Sequence, residues 1–411
     1  ARIQAIFTSN DTPLGECRMN STRAWREGGA MLLTKPKTFL TALVAGGLVW
    51  ATASFAENIT VTDMAGRTVD VPHGAERIIL GEGRMMYAVA PLMTEDPFKR
   101  ILGWKDDLVL YDPDAFAKFE EKFPEDTARL INFGNPYAGD FSVETVLANK
   151  ADLVILDLGS LFKAEESGVV DTLAKAGVPV VFIDFRQNPT ENTVPSMLLM
   201  GRILAEEARA AEFIDFYVAQ MRQVTNVVQG LPGEDRPKVF VENAAGYEPG
   251  YCCGTFGPFN FGRFVDLAGG DNYGSSLTRA YQTEVSLEGV IAHDPDVIIT
   301  TGANWAVHTP TAAGVVPLGY NATPEAVQAA LTGLMARDGF KDMRAVKDGK
   351  YLAVYHQFYN SPYHFVALQQ LAKWLHPEEF ADLDPNATWT ELHSRFMPCA
   401  PSGVFWAEPA K

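Results

Sequence analysis

The 411 residues, 47% apolar and 21% charged, have the composition of a soluble globular protein with room for two domains. The formal charge of −17 excludes a nucleic-acid binder, whose partner demands a basic surface, and disfavours docking on anionic lipid. It fits a carrier whose partner presents arginine and lysine, and it also fits solubility alone.

Residues 1–30 carry no periodicity and precede a better start at Met31. Lys35 and Lys37 lead into an uncharged run over residues 38–56 that closes on Ser54-Phe-Ala56 before Glu57. A basic start, an apolar stretch and small residues at the end are the three parts of a secretory signal peptide. At 19 residues the run is also near the length of a membrane anchor, but its paired glycines and small-residue ending favour cleavage near Ala56. Residues 1–56 are therefore expected to be upstream sequence and a removed signal, and the mature chain to work in the periplasm.

The mature chain opens with alternating apolar residues on both sides of a Gly-bearing turn, Ile59 to Asp63 and Thr68 to Pro72, which predicts a β-hairpin. Short β-rich runs follow at 77–80, 100–102, 153–156, 178–183, 239–241, 297–300 and 351–354, separated by helical stretches. Continuous apolar strands alternating with helices indicate mostly parallel sheets covered on both faces. One stretch breaks the alternation. From Glu191 to Gln229 helical spacing runs almost throughout, through Met197, Leu198, Ile203 and Leu204 and then Phe213, Ile214, Phe216 and Tyr217. The expected organisation is an N-terminal α/β lobe at 57–190, a backbone helix and following helix at 191–230, and a C-terminal α/β lobe at 231–411.

The lobes contain an internal repeat. Residues 142–156 read SVETVLANKADLVIL and residues 286–300 read SLEGVIAHDPDVIIT, with six of 15 positions identical. Those positions are Ser142/Ser286, Glu144/Glu288, Val146/Val290, Ala148/Ala292, Asp152/Asp296 and Ile155/Ile299. Each copy predicts a Ser-capped helix, a short turn and a buried strand. The helix–strand pattern itself restricts residue types, but the paired Ser-x-Glu at one fixed distance from the strand is harder to attribute to that pattern.

With the repeat in place the chain resembles the periplasmic binding proteins for ferric siderophores, cobalamin and haem, whose two lobes are joined by a single rigid helix. The matching residues are Asp63-x-x-Gly66-Arg67-x-Val69-x-Val71-Pro72, then Arg77-Ile-Ile, and the two Ser-x-Glu units with their strands. Phe264-x-x-x-Ala268-Gly-Gly-Asp-Asn272 also fits. The likeness spans residues 57–400. It implies an α/β fold of two similar lobes, mostly parallel central sheets, a long rigid backbone helix and a ligand cleft between the lobes. It also implies a monomer that delivers a small-molecule metal chelate to an ABC importer permease dimer in the inner membrane, with no cofactor of its own. In that family a glutamate on each lobe pairs with permease arginines, a role the motif carries onto Glu144 and Glu288. An ordinary first-turn glutamate favouring the helix dipole is the structural alternative.

A cleft between such lobes lies at the carboxyl ends of the strands. Residues just after the strands are the ligand candidates: Arg84, Tyr137 and Arg186 in the first half, and Tyr247, Tyr251, Trp305, His308, His356 and Tyr359 in the second. Two arginines can pair with the oxygens of an anionic chelate, and the aromatic residues offer flat faces with a hydrogen-bonding edge. Tyr87 and Tyr363 read equally well as core. These residues favour a ferric siderophore, an Fe(III) chelate, ahead of cobalamin, haem or an oxyanion such as molybdate. A bare Zn²⁺ or Mn²⁺ cage needs histidines from both lobes, yet of seven histidines the first half holds only His73. A histidine or tyrosine could still complete the coordination of a chelated iron.

An enzyme is the rival class. No Walker loop, HExxH or G-x-S-x-G is present, and Gly81-x-Gly83 lacks the third glycine of a dinucleotide fingerprint. An exported metallo-cofactor enzyme of similar lobed fold is the remaining alternative. Of the mature cysteines, Cys399 is expected to pair with Cys252 or Cys253 in preference to a bond between those neighbours, although the sequence leaves the pairing open.

Overall fold

The computed structural model describes residues 57–233 and 236–410; the expected signal segment lies outside them. Strand β1 (Asn58–Thr62) pairs antiparallel with β2 (Thr68–Pro72) as the alternation requires. Asp63 closes the turn by accepting from the backbone of Ala65 and Arg67, while Arg67 reaches the carbonyl of Val180 at 2.5 Å and so ties the hairpin to the first sheet.

That sheet contains β3 (Ile78–Leu80), β4 (Ile101–Trp104), β5 (Ile131–Asn132), β6 (Leu153–Asp157) and β7 (Val180–Ile183). All are parallel, in the order β5-β4-β3-β6-β7. In the second half come β8 (Lys238–Glu242), β9 (Gly254–Phe256), β10 (Asp271–Asn272), β11 (Gln282–Glu284), β12 (Val297–Gly302), β13 (Tyr351–Tyr355) and β14 (Trp406–Ala407). Its main sheet has the order β10-β8-β12-β13-β14, parallel apart from the last pair, and β9 and β11 form a separate antiparallel ribbon. Strands β3, β6, β7 and β13 are buried at every residue, which is why they read as unbroken apolar runs.

Both sheets reverse direction beside their first strand, between β3 and β6 and between β8 and β12. Such switch points open a crevice at the carboxyl ends of the strands.

The repeat has a physical basis at most of its identical positions. Ser142 and Ser286 cap their helices by accepting from Thr145 and Gly289 backbone N–H at 3.2 and 3.1 Å. Val146 and Val290, like Ile155 and Ile299, are fully buried. Asp152 accepts from the backbone of Glu76 and Arg77 ahead of β3, and Asp296 accepts from Lys238 at the start of β8. Each aspartate thus fastens its strand to the neighbouring one. Glu144 and Glu288 are exposed and make no ion pair or side-chain hydrogen bond among the described residues.

The long helical stretch is two helices, Pro189–Leu204 and Glu207–Val228. Ala205, with φ of +53°, ends the first, and Gly201 lies so near Ala210 that any side chain there would collide with it. Helical spacing continues through the break because both helices bury their apolar faces, and so periodicity alone does not reveal it. The second helix touches both lobes. Arg209 donates to the Pro91 carbonyl at 3.0 Å, and Gln220 accepts from Gln369 at 2.8 Å. Phe216 packs edge-on against Phe365.

Candidate functional site

The loops leaving the carboxyl ends of the two sheets meet and place buried charge between them. After β3, Glu82 accepts two hydrogen bonds from Arg186 Nη2, at 2.9 and 2.7 Å. Arg186 Nη1 donates to the Tyr137 hydroxyl at 3.0 Å, and that hydroxyl donates to Asp157 at 2.5 Å. Arg84 Nε donates to Asp107 at 2.5 Å and its Nη1 to Tyr359 of the second lobe at 2.5 Å. Both guanidinium groups lie 5.5 Å from the Tyr359 ring centre.

Each arginine is therefore already matched by a protein carboxylate. Burial alone would raise the Glu82 carboxyl, but Arg186, Arg84 and Lys105 outweigh it and hold the group at about 2. For Asp157 burial wins and lifts the carboxyl to about 6, against the opposing pull of Arg186. His356 is driven down to about 3 by burial, with Arg84 and Arg186 adding to the effect, so it is neutral at ordinary pH. Its Nδ1 pairs with Thr301 at 2.9 Å, and its ring stands against Trp305 and Tyr359 at 4.9 and 4.5 Å.

Of these groups Arg84, Trp305, His356 and Tyr359 line an open inter-lobe chamber of about 230 Å³. Arg84 and Tyr111 come from the first lobe; Asn243, Ala244, Tyr247, Trp305, His356, Gln357 and Tyr359 come from the second. A wider depression of about 660 Å³ involves Tyr251, Leu334 and Arg337, but only the second lobe lines it. It does not share the two-lobed character of the chamber.

The chamber wall is clasped by three residues of the first lobe within the segment 111–114. The Tyr111 carbonyl accepts from Trp305 Nε1 at 2.8 Å and Gln357 Nε2 at 2.6 Å. Asp112 accepts from Tyr355 at 2.5 Å and also from Tyr87. Asp114 accepts from Asn304 at 2.9 Å and from the Asn321 backbone at 3.0 Å. Burial dominates at Asp112 and raises it to about 6 in spite of its two tyrosine donors.

Of the residues singled out from sequence, Arg84, Tyr247, Trp305, His356 and Tyr359 line the chamber, and Arg186 and Tyr137 adjoin it. Tyr251 lies in the second-lobe depression beside Glu284, and His308 is exposed beyond the turn that carries Trp305. Tyr87 and Tyr363 are buried against each other. Sequence reasoning missed Glu82, Asp107 and the 111–114 clasp. Glu82 stands two residues before Arg84 and directly after an apolar strand, where a buried carboxylate could have been suspected. The clasp carries no comparable signal.

The expected pairing of Cys399 does not occur. Cys252 and Cys253 are bonded to each other and Cys399 is free. The neighbours lie beside Val285 in the second lobe, whereas Cys399 is near Lys118 and Lys122 of the first.

Residues 94–354 match the sequence profile of the periplasmic binding protein family. The chain belongs to that family. No curated protein sequence matches it. Among solved structures, the TroA-like periplasmic binding protein FepB of Veillonella parvula is 27% identical with a TM-score of 0.77, covering 86% of this chain and 100% of its own. The Haemophilus influenzae molybdate-binding protein MolA, bound to molybdate, is 18% identical with a TM-score of 0.63 over 83% and 98%. Helicobacter pylori CeuE with Ni(II) bound is 15% identical at 0.59 over 83% and 96%. The fold is that of the TroA-like, helical-backbone class of two-lobed binding proteins. Proteins of this family are periplasmic, work with ABC importer permeases, and bind transported substrates in place of a resident cofactor.

Proposed function

We propose that this protein captures a compact ferric siderophore between its lobes and delivers it, as a monomer, to the permease dimer of an ABC importer. The observation that carries the reading is the inter-lobe chamber, where the flat faces of Trp305, Tyr247 and Tyr359 surround a neutral imidazole and one guanidinium edge. Aromatic faces suit the rings of an oxygen-rich chelate, and a neutral His356 can donate a lone pair to a metal the chelate leaves incompletely coordinated. The carboxylates that balance Arg84 and Arg186 argue against a ligand held by charge alone. Glu144 and Glu288 supply the contact with the permease, one from each lobe. Removal of a signal near Ala56 places the mature protein in the periplasm.

A second reading, a small oxyanion such as molybdate, is favoured by the chamber's modest volume of about 230 Å³. Titrating the purified protein with ferric bis-catecholate and hydroxamate chelates, haem, cobalamin and molybdate, with quenching of tryptophan fluorescence as readout, separates the two. Micromolar or tighter quenching by a ferric chelate, lost in Trp305→Phe, is expected. Saturation by molybdate alone would replace the siderophore reading.

A further inference from the structure

Two identical positions of the repeat, Glu144/Glu288 and Ala148/Ala292, make no ion pair, side-chain hydrogen bond or core contact among the described residues. All four residues are exposed, while the other identical pairs cap a helix, fill the core or fasten a strand. A third position shares this pattern. Leu147 and Ile291 occupy equivalent places in the two copies and are 40% and 45% exposed, among the few large apolar side chains the described residues leave in solvent. Residues three and four apart share one face of a helix. Each lobe therefore displays the same outward face: a carboxylate without a partner, then a branched aliphatic residue, then alanine.

The part of a leucine or isoleucine left in water adds nothing to folding, and here that part is close to half of each side chain. Duplicating it in two lobes, each time one turn beyond an unpaired carboxylate, calls for a partner that meets both lobes alike. We propose that Leu147 and Ile291, each next to an exposed alanine, are apolar docking contacts for the two-fold permease dimer. Each buries its side chain in a shallow apolar seat flanked by the cationic residue that receives Glu144 or Glu288. The occupant follows from charge complementarity and from the duplication. Two uncompensated carboxylates on a chain of net charge −17 select a basic surface, and a pseudo-symmetric pair selects a symmetric one. The carboxylates steer and orient the encounter, and the aliphatic pair supplies desolvated area that slows dissociation.

This inference rests on the docking reading of the glutamates, and one experiment separates the two. The importer that this protein serves, reconstituted in nanodiscs, is titrated with the full-length mature protein. The binding-protein concentration giving half-maximal stimulation of ATP hydrolysis is read out. The variants are Leu147→Ser with Ile291→Ser, Glu144→Lys with Glu288→Lys, and Leu198→Ser, which alters an equally exposed leucine outside the repeat. Half-maximal stimulation should require about tenfold more of the aliphatic double variant, the loss expected for removing two partly buried aliphatic contacts, with the protein still fully folded at the assay temperature. Leu198→Ser should behave as the parent. An effect of the charge reversal without one of the serine pair overturns the inference and keeps the glutamate docking. No effect of either pair overturns both. An equal effect of Leu198→Ser would mark non-specific adhesion and also overturn it.

Discussion

Glu82 illustrates how little freedom a buried charge has. It is 1% exposed and faces two guanidinium groups, so its ionised form is locked in. Replacing it by glutamine leaves Arg186 buried without its counter-charge, and breaking such a pair costs about 3–5 kcal/mol. Urea unfolding of Glu82→Gln should show that loss, and adding Arg186→Met should restore much of it. The pH dependence has a definite sign. Because the folded value of about 2 lies below the ordinary 4.5, the stability contributed by Glu82 is complete above pH 4.5 and disappears as pH falls toward 2. His356 is a contrasting case. Kept neutral by burial, it is costly to protonate, and acidification below its ordinary range also works against the fold.

At the level of elements, the join between the two long helices is strained at one residue. Ala205 holds a left-handed conformation, φ +53°, at an exposed position where glycine is the usual occupant. Ala205→Gly should stabilise the protein by about 0.5–1 kcal/mol, read as an increase in denaturation midpoint without change in slope. The apolar spacing across 191–229 was legible in the sequence because both helices bury one face. The break was not, since it depends on how closely Gly201 approaches Ala210 and not on any residue that excludes helix.

In the whole molecule, the 111–114 clasp and the helix Glu207–Val228 together limit how far the lobes can separate. The helix is fastened to one lobe through Arg209 and to the other through Gln220, and it bends less readily than paired strands. The clasp has a titratable centre. Asp112 is raised to about 6 from 3.8, so its contribution favours the folded molecule below pH 3.8 and is lost as pH rises through 6. The other ionisable groups near it are Tyr87, Tyr355, Asp114, Tyr320 and Tyr363. In Asp112→Asn the stability difference from the parent should shift in the variant's favour between pH 5 and 7, on the order of 1–2 kcal/mol. Melting curves across that range measure it, and a constant difference would show that Asp112 does not titrate there.

The sequence by itself determined the lobed α/β plan, the hairpin, the order of the strands along the chain and the duplicated Ser-x-Glu unit. Buried parallel strands and capped helices are written in local patterns of period and residue type, which survive without tertiary information. Five chamber residues were also legible, because side chains that follow parallel strands are delivered to one edge of the sheet. Only the tertiary structure decided that Arg84 and Arg186 are balanced by Asp107 and Glu82, that Tyr251 and His308 stand apart from the chamber, and that Cys252 bonds to its neighbour. Those outcomes depend on which side chains the folded chain brings within bonding distance. Residues 82 and 186, or 112 and 355, are distant in the chain, and nothing in their local sequence encodes that approach.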